Sequence, residues 1–213
     1  MLEEFEMKKV MIYIIGILFV SLGIVLCKKC GMGISPISSI PFVLADIVPL
    51  TFGSLTTLFH FMNTLMQMAL SRKIKDLKMW LQVPLAFVFG WVIDGFNRFI
   101  LIDADTLFYQ MAALAFSIFF TAFGMVCMLD MDFIQNPPDG TVKQISSFFK
   151  WEFGMVKIIY DVTCVGVSVL LSLIFLHRVE GLGIATIASA FFVGKTIRWI
   201  RIAMAKMKNP TDA

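Results

Sequence analysis

Two stripes of polar side chains run through otherwise oily stretches of this chain. Thr56, His60, Asn63 and Gln67 recur at i, i+4, i+7 and i+11, the spacing of one helix face. Lys157, Asp161, Cys164 and Ser168 repeat that spacing 101 residues further on. Facing lipid, such groups would cost several kcal/mol, roughly, so both stripes are expected to face inward. The chemistry within their reach is proton movement or the recognition of a polar solute along a hydrated path. His60, Asn63, Gln67, Lys157 and Asp161 are the candidates for it. Thr56, Cys164 and Ser168 read instead as interhelical hydrogen-bond contacts, worth about 1 kcal/mol or less each. Lys157 and Asp161 stand four apart and can pair, which lowers their burial cost. Asp94, with Asn97 and Arg98 beside it, joins the path candidates because its side chain is too short to reach the headgroups. Arg198 and Arg201 are long enough to snorkel there.

Enzyme chemistry finds little support in these residues. His60 is the one histidine inside an apolar run, and no HExxH or GxSxG occurs. Cys27-Lys28-Lys29-Cys30 is a CxxC with no second pair to complete a zinc site, and buried cysteine behaves mostly as a small hydrophobe. No enzyme activity, metal or cofactor is expected. The net charge of +3 is too small to argue for nucleic acid.

The elements that must position the stripes follow from composition. Of 213 residues, 59% are hydrophobic and 15% charged, with a mean hydropathy of +0.86. A soluble domain cannot hide that much apolar surface, so the bilayer is the expected solvent and principal partner. Charge-free runs cover 10–27, 47–71, 79–93, 106–129, 162–176 and 181–194. The third, fifth and sixth are short of the roughly 20 residues a span needs, and they cross only by drawing in Asp94, Lys157 with Asp161, and Lys195 with Arg198. Six transmembrane helices are therefore expected. Arg72, Lys73, Lys75 and Lys78, then Lys206 and Lys208, then Lys8 and Lys9 mark the cytoplasmic side and place both termini there; Lys28 and Lys29 oppose this mildly. The segment after Lys8-Lys9 resembles a secretory signal but lacks a small-x-small cleavage site, so it reads as a retained first span.

At the same offset of 101, Gly23 meets Gly124, Pro36 meets Pro137, Ser38 meets Asp139 and Gly53 meets Gly154, and three inserted residues later Gly90 meets Gly194. Repeat one covers about 10–100 and repeat two about 107–203, within a single membrane domain of 1–213 whose last residues, 204–213, form a cytoplasmic tail. Three spans per repeat force opposite orientations. The fold class is thus all-α, with six spans as two inverted three-helix repeats. Each repeat has a Pro-marked break and a short interfacial or re-entrant helix after its first span. Pro36 with Ser38, and Pro137 with Asp139 and Gly140, build the two breaks, and Ser38 and Asp139 read as helix N-caps. After the second break, Val142, Ile145, Phe148 and Phe149 share one face, an amphipathic pattern. Gly16, Gly23, Ser117, Thr121 and Gly124 read as small-residue helix contacts.

Gly31-Met32-Gly33-Ile34-Ser35-Pro36, Pro137-Pro138-Asp139-Gly140, Phe153-Gly154-Met155-Val156-Lys157 with Asp161, and Leu81-Gln82 followed by Gly90 and Asp94 together resemble the YczE/YitT-type bacterial integral membrane proteins, over about 10–200. Pro138 departs from the pattern, standing where many of those proteins have a basic residue, and Gly183-Ile184-Ala185-Thr186 matches their Gly-x-Gly-Thr only approximately. The resemblance implies a multi-pass bacterial inner-membrane protein of unassigned activity. From the repeat, the breaks and the stripes, the expected function is a small secondary transporter of a small solute or ion, with its polar path between spans two and five. The alternatives are a substrate-capture membrane subunit of a larger transporter, or a membrane scaffold without transport activity. A homo-oligomer is compatible with all three.

Overall fold

In the computed structural model, residues 2–72, 76–101, 105–131 and 134–208 are described, apart from the side chains of 2–6, 130, 207 and 208. Lys73, Lys75, the Lys208 side chain and residues 209–213 of the expected tail lie outside them. The described residues form eight α-helices and no strand. They are α1 (Leu2–Lys29), α2 (Ser39–Ile47), α3 (Phe52–Ser71), α4 (Leu77–Phe99), α5 (Leu107–Met131), α6 (Pro137–Phe149), α7 (Phe153–Leu171) and α8 (Ile184–Lys208). A 3-10 turn, Pro36–Ser38, precedes α2, and a π-helical turn, Ser172–Leu176, extends α7.

At the centre α1 crosses α5, and small residues let the two backbones approach. A Cβ on Gly23 would strike Thr121, and one on Gly124 would sit 2.6 Å from the Gly16 carbonyl oxygen. α4 packs on α1 and α8 on α5, while α2, α3, α6 and α7 form the rest of the bundle. The chain after α1 turns at Gly31 and Gly33, both at positive φ, where a side chain would strain the backbone. That loop is pinned to the entry of α8: Ile34 N–H donates to Gly181 O and Ala185 N–H donates to Met32 O, both at 2.9 Å.

Four stretches are long and apolar enough to cross a membrane: Met7–Lys29, Leu77–Phe99, Leu107–Leu129 and Phe153–Leu176. The chain is a multi-pass, all-helical membrane protein. Its outward faces carry large apolar side chains such as Trp91, Phe99, Val162 and Ile187, as lipid contact requires. The second and sixth expected spans correspond to α3 and α8. α3 is diluted by His60, Asn63 and Gln67, and α8 by Lys195, Arg198 and Arg201.

The two breaks differ in detail. α2 begins at Ser39, and Ser38 occupies the N-cap position without a capping bond; its hydroxyl accepts from Ser35 Oγ at 3.0 Å. α6 begins at Pro137, so Asn136 and not Asp139 holds the N-cap position. The expectation of an Asp139 cap is corrected by proline chemistry. The first helical turn has no use for a proline N–H, so Pro137 and Pro138 start the helix instead of delaying it. Only the first part of α6 is enclosed, with Pro137, Pro138, Gly140, Thr141 and Val142 buried and Phe148 and Phe149 more than half exposed.

Candidate functional site

Starting α6 at Pro137 places Asp139 in the first helical turn, with its carboxylate free of capping. Asp139 Oδ2 accepts from Asn136 Nδ2 at 3.0 Å, and Oδ1 lies 3.5 Å from Lys157 Nζ. Lys157, in the first turns of α7, donates from Nζ to Asp161 Oδ1 at 3.0 Å, one turn further along. The three side chains are 18%, 27% and 17% exposed for Asp139, Lys157 and Asp161, so they meet largely away from solvent. Two carboxylates share one ammonium, and the cluster carries one excess negative charge. The start of α6 points its positive end at Asp139 and offsets part of it.

The α3 stripe faces this cluster with uncharged groups. Asn63 Oδ1 accepts from Tyr160 Oη at 2.6 Å, and its Nδ2 donates to Phe59 O at 2.8 Å. Thr141 Oγ1 donates to Asn63 O at 3.1 Å. Gln67 and Gln82 exchange side-chain amide bonds at 3.0 and 3.1 Å, and Gln67 Nε2 also donates to Pro137 O at 2.9 Å. Gln67 therefore holds the break in place, and a Cβ on Gly140 would come within 2.5 Å of Gln67 Oε1 and push that amide from its bonds. His60 is 4% exposed, with its ring 5.0 Å from that of Phe89. A void of about 10 Å³ beside His60, Asn136 and Pro137 is about the size of a single water molecule's site.

Between α3 and α7 lies a cavity of about 370 Å³, open toward the outer surface, where Met62, Met66 and Trp151 are about half exposed, and lined deeper by Phe59, Asn63, Tyr160 and Cys164 among others. Its size falls within the range of small-molecule sites, and its walls are mostly apolar and aromatic. The polar groups at its wall are the Tyr160–Asn63 pair, Thr163, whose hydroxyl donates to Ile159 O at 2.7 Å, and Cys164.

The structure thus gathers Asn63, Lys157, Asp161 and Asp139 around one region, with His60 and Gln67 alongside on α3. Asp94 lies elsewhere. It accepts from Gly53 N–H at 2.8 Å and Thr51 Oγ1 at 2.5 Å, holding the start of α3 against the end of α4. Pro36 and Ser38 sit at the other break, where Ser39 Oγ donates to Pro36 O at 2.7 Å and to Cys164 O at 3.3 Å. Sequence reasoning passed over Tyr160, Thr141 and Gln82 as site residues. Tyr160 is three residues from Lys157 on the same helix face, a spacing that could have found it. Gln82 carried a weaker signal, one buried amide in an apolar run. Thr141 carried none.

Residues 7–202 match the family of unknown function DUF6198. The chain belongs to that family. No curated protein and no solved structure matches it. The matched region contains α3, α6, α7 and every residue of the cluster and the cavity.

Proposed function

We propose that this protein is a small secondary transporter built from two inverted repeats of three spans, with α3 and α8 crossing alongside the four more apolar helices. The observation that carries the reading is the make-up of the cavity. Phe59 and Tyr160, Met62 and Thr163, and Asn63 and Cys164 are related by the 101-residue offset, and all six line it. A cavity built from matching positions of both repeats lies at their interface, where transporters of this plan bind substrate. The α1–α5 crossing supports the repeat, since Gly23 against Thr121 and Ser117 matches Gly124 against Val20 and Gly16. The likeness to YczE/YitT-type proteins belongs with this reading, because its Phe153–Asp161 stretch builds the charged cluster. In the same reading both termini are cytoplasmic, in a bacterial inner membrane.

Proteoliposomes with a trapped pH dye test it. Proton flux driven by gradients of small cationic, zwitterionic and neutral amphiphiles is expected for at least one class, and is expected to fall at least tenfold in Asp161→Asn and His60→Ala. Flux indifferent to both changes sinks the site assignment. The exposed apolar faces of α7 and α8 favour a second reading, a substrate-capture subunit whose partner covers them. Co-purification with an ATPase pair supports that alternative, and autonomous flux excludes it.

A further inference from the structure

The cavity between α3 and α7 limits what the proposed site takes. Phe59, Met62, Met66, Trp151 and Ile159 offer no charge, so a sugar or a bare ion would leave most of its hydration unreplaced. The flexible methionines and flat aromatic faces suit an apolar body of variable shape. Its polar wall at Tyr160 lies between Lys157 and Asp161 along α7, and Tyr160 shares Asn63 as a partner with Thr141, two residues from Asp139. Asp139, Lys157 and Asp161 do not line the cavity themselves; Lys157 and Asp161 flank Tyr160 on α7 and bring the cluster's excess negative charge behind that wall, where the largely enclosed setting strengthens it. Tyr160, Trp151 and Phe59 add ring faces that attract cations.

We infer that this cavity binds an amphipathic organic cation, its apolar body against the methionines and aromatics and its positive centre toward Tyr160 and the excess carboxylate. This deepens the transport reading by naming the substrate class. The test is binding rather than flux, so either can fail alone. Protein in detergent is titrated with phenylbutyltrimethylammonium and with its neutral tert-butyl isostere. Quenching is read as the difference between the protein and Trp151→Phe. The cation is expected to bind saturably and at least tenfold more tightly than the isostere, and Asp161→Asn to shrink that ratio about tenfold. Met62→Trp, which fills the cavity, abolishes binding of both. Equal binding of the two probes marks an acyl-chain groove and overturns the inference, as does a ratio unmoved by Asp161→Asn. Should Met62→Trp fail to fold, the ratio in Asp161→Asn still decides.

A different observation carries a second inference, resting on the repeat. α3 and α4 pack closely: a Cβ on Gly53 would strike Gly90 O, Thr57 Oγ1 donates to Ala86 O at 3.0 Å, and Asp94 ties the helix ends together. Their repeat equivalents, α7 and α8, barely touch. A Cβ on Gly154 would meet only Glu152 Oε1, at 3.7 Å, and one on Gly194 would meet nothing within 4 Å. Where Thr51 and Asp94 stand in the first half, the second has Glu152 and Arg198, opposite charges that are both exposed and unpaired. We propose that α8 closes onto α7 in a second state, Gly154 meeting Gly194 and Glu152 pairing with Arg198, so that the second half takes the arrangement the first already has. Disulfide trapping tests this. Ile158→Cys with Ala190→Cys, equivalent to Thr57 and Ala86, is expected to cross-link within the chain on brief oxidation. Arg198→Glu is expected to slow it at least threefold, and adding Glu152→Arg to restore it. Absence of cross-linking, while Thr57→Cys with Ala86→Cys links readily, overturns it, and so does a rate indifferent to the charges. Flux is not measured, so a failed transport assay leaves this result standing.

Discussion

Ser38, Thr56 and His60 occupy in the first half the positions that Asp139, Lys157 and Asp161 occupy in the second. In the second half three charged groups bind one another across two helices. In the first, the counterparts form no such network: Ser38 bonds Ser35, Thr56 bonds the Phe52 carbonyl at 2.8 Å, and His60 lies with its ring against that of Phe89. Positions equivalent in sequence thus hold quite different chemistry. One half provides a neutral wall and the other concentrates the charge. Removing one ion from a buried network strands the others, whereas removing a locally bonded hydroxyl strands nothing.

The largest test of that difference is Lys157→Met, which leaves two carboxylates facing each other. It is expected to cost roughly 3–5 kcal/mol in detergent unfolding. Replacing the whole cluster with its counterparts, Asp139→Ser, Lys157→Thr and Asp161→His together, should recover most of that stability while removing flux. A Lys157→Met cost under about 1 kcal/mol would mean the cluster is solvated, and the contrast would collapse. Next comes Gln67→Leu, which breaks the amide pair with Gln82 and the bond to Pro137; about 2–3 kcal/mol is expected. Ser168→Ala at the equivalent position should cost about 1 kcal/mol or less, since Ser168 Oγ bonds only the Val165 carbonyl of its own helix. His60→Phe keeps the ring contact with Phe89 and should stay within roughly 1.5 kcal/mol while abolishing flux. Thr56→Val should be smallest, within about 0.5 kcal/mol by thermal shift, and a larger value would give the first half a polar role it lacks here.

Much of the fold was legible in the residues. The apolar runs locate α1, α4, α5 and α7, and the spacing of Gly16, Gly23, Ser117, Thr121 and Gly124 anticipates the central crossing. The Lys157–Asp161 pair follows from helical spacing alone. Asp94 was different. Its neighbourhood suggested a membrane-border acid with Arg98 beside it, and its actual partners belong to the start of α3, more than 40 residues earlier in the chain. Asp139 was misplaced by three residues at a proline pair whose effect depends on whether a helix ends or begins there.

Composition and local periodicity determined that the bilayer is the solvent, that the backbone must be helical, and which helix faces are polar. Hydropathy sums along the chain, and helical spacing operates within a few turns, so one dimension suffices for them. The tertiary structure decided which charges meet, that Gln67 and Gln82 clasp the Pro137 break, and that α3 packs closely on α4 while α7 barely touches α8. Those outcomes depend on how closely whole helices approach, a quantity set jointly by every side chain between them.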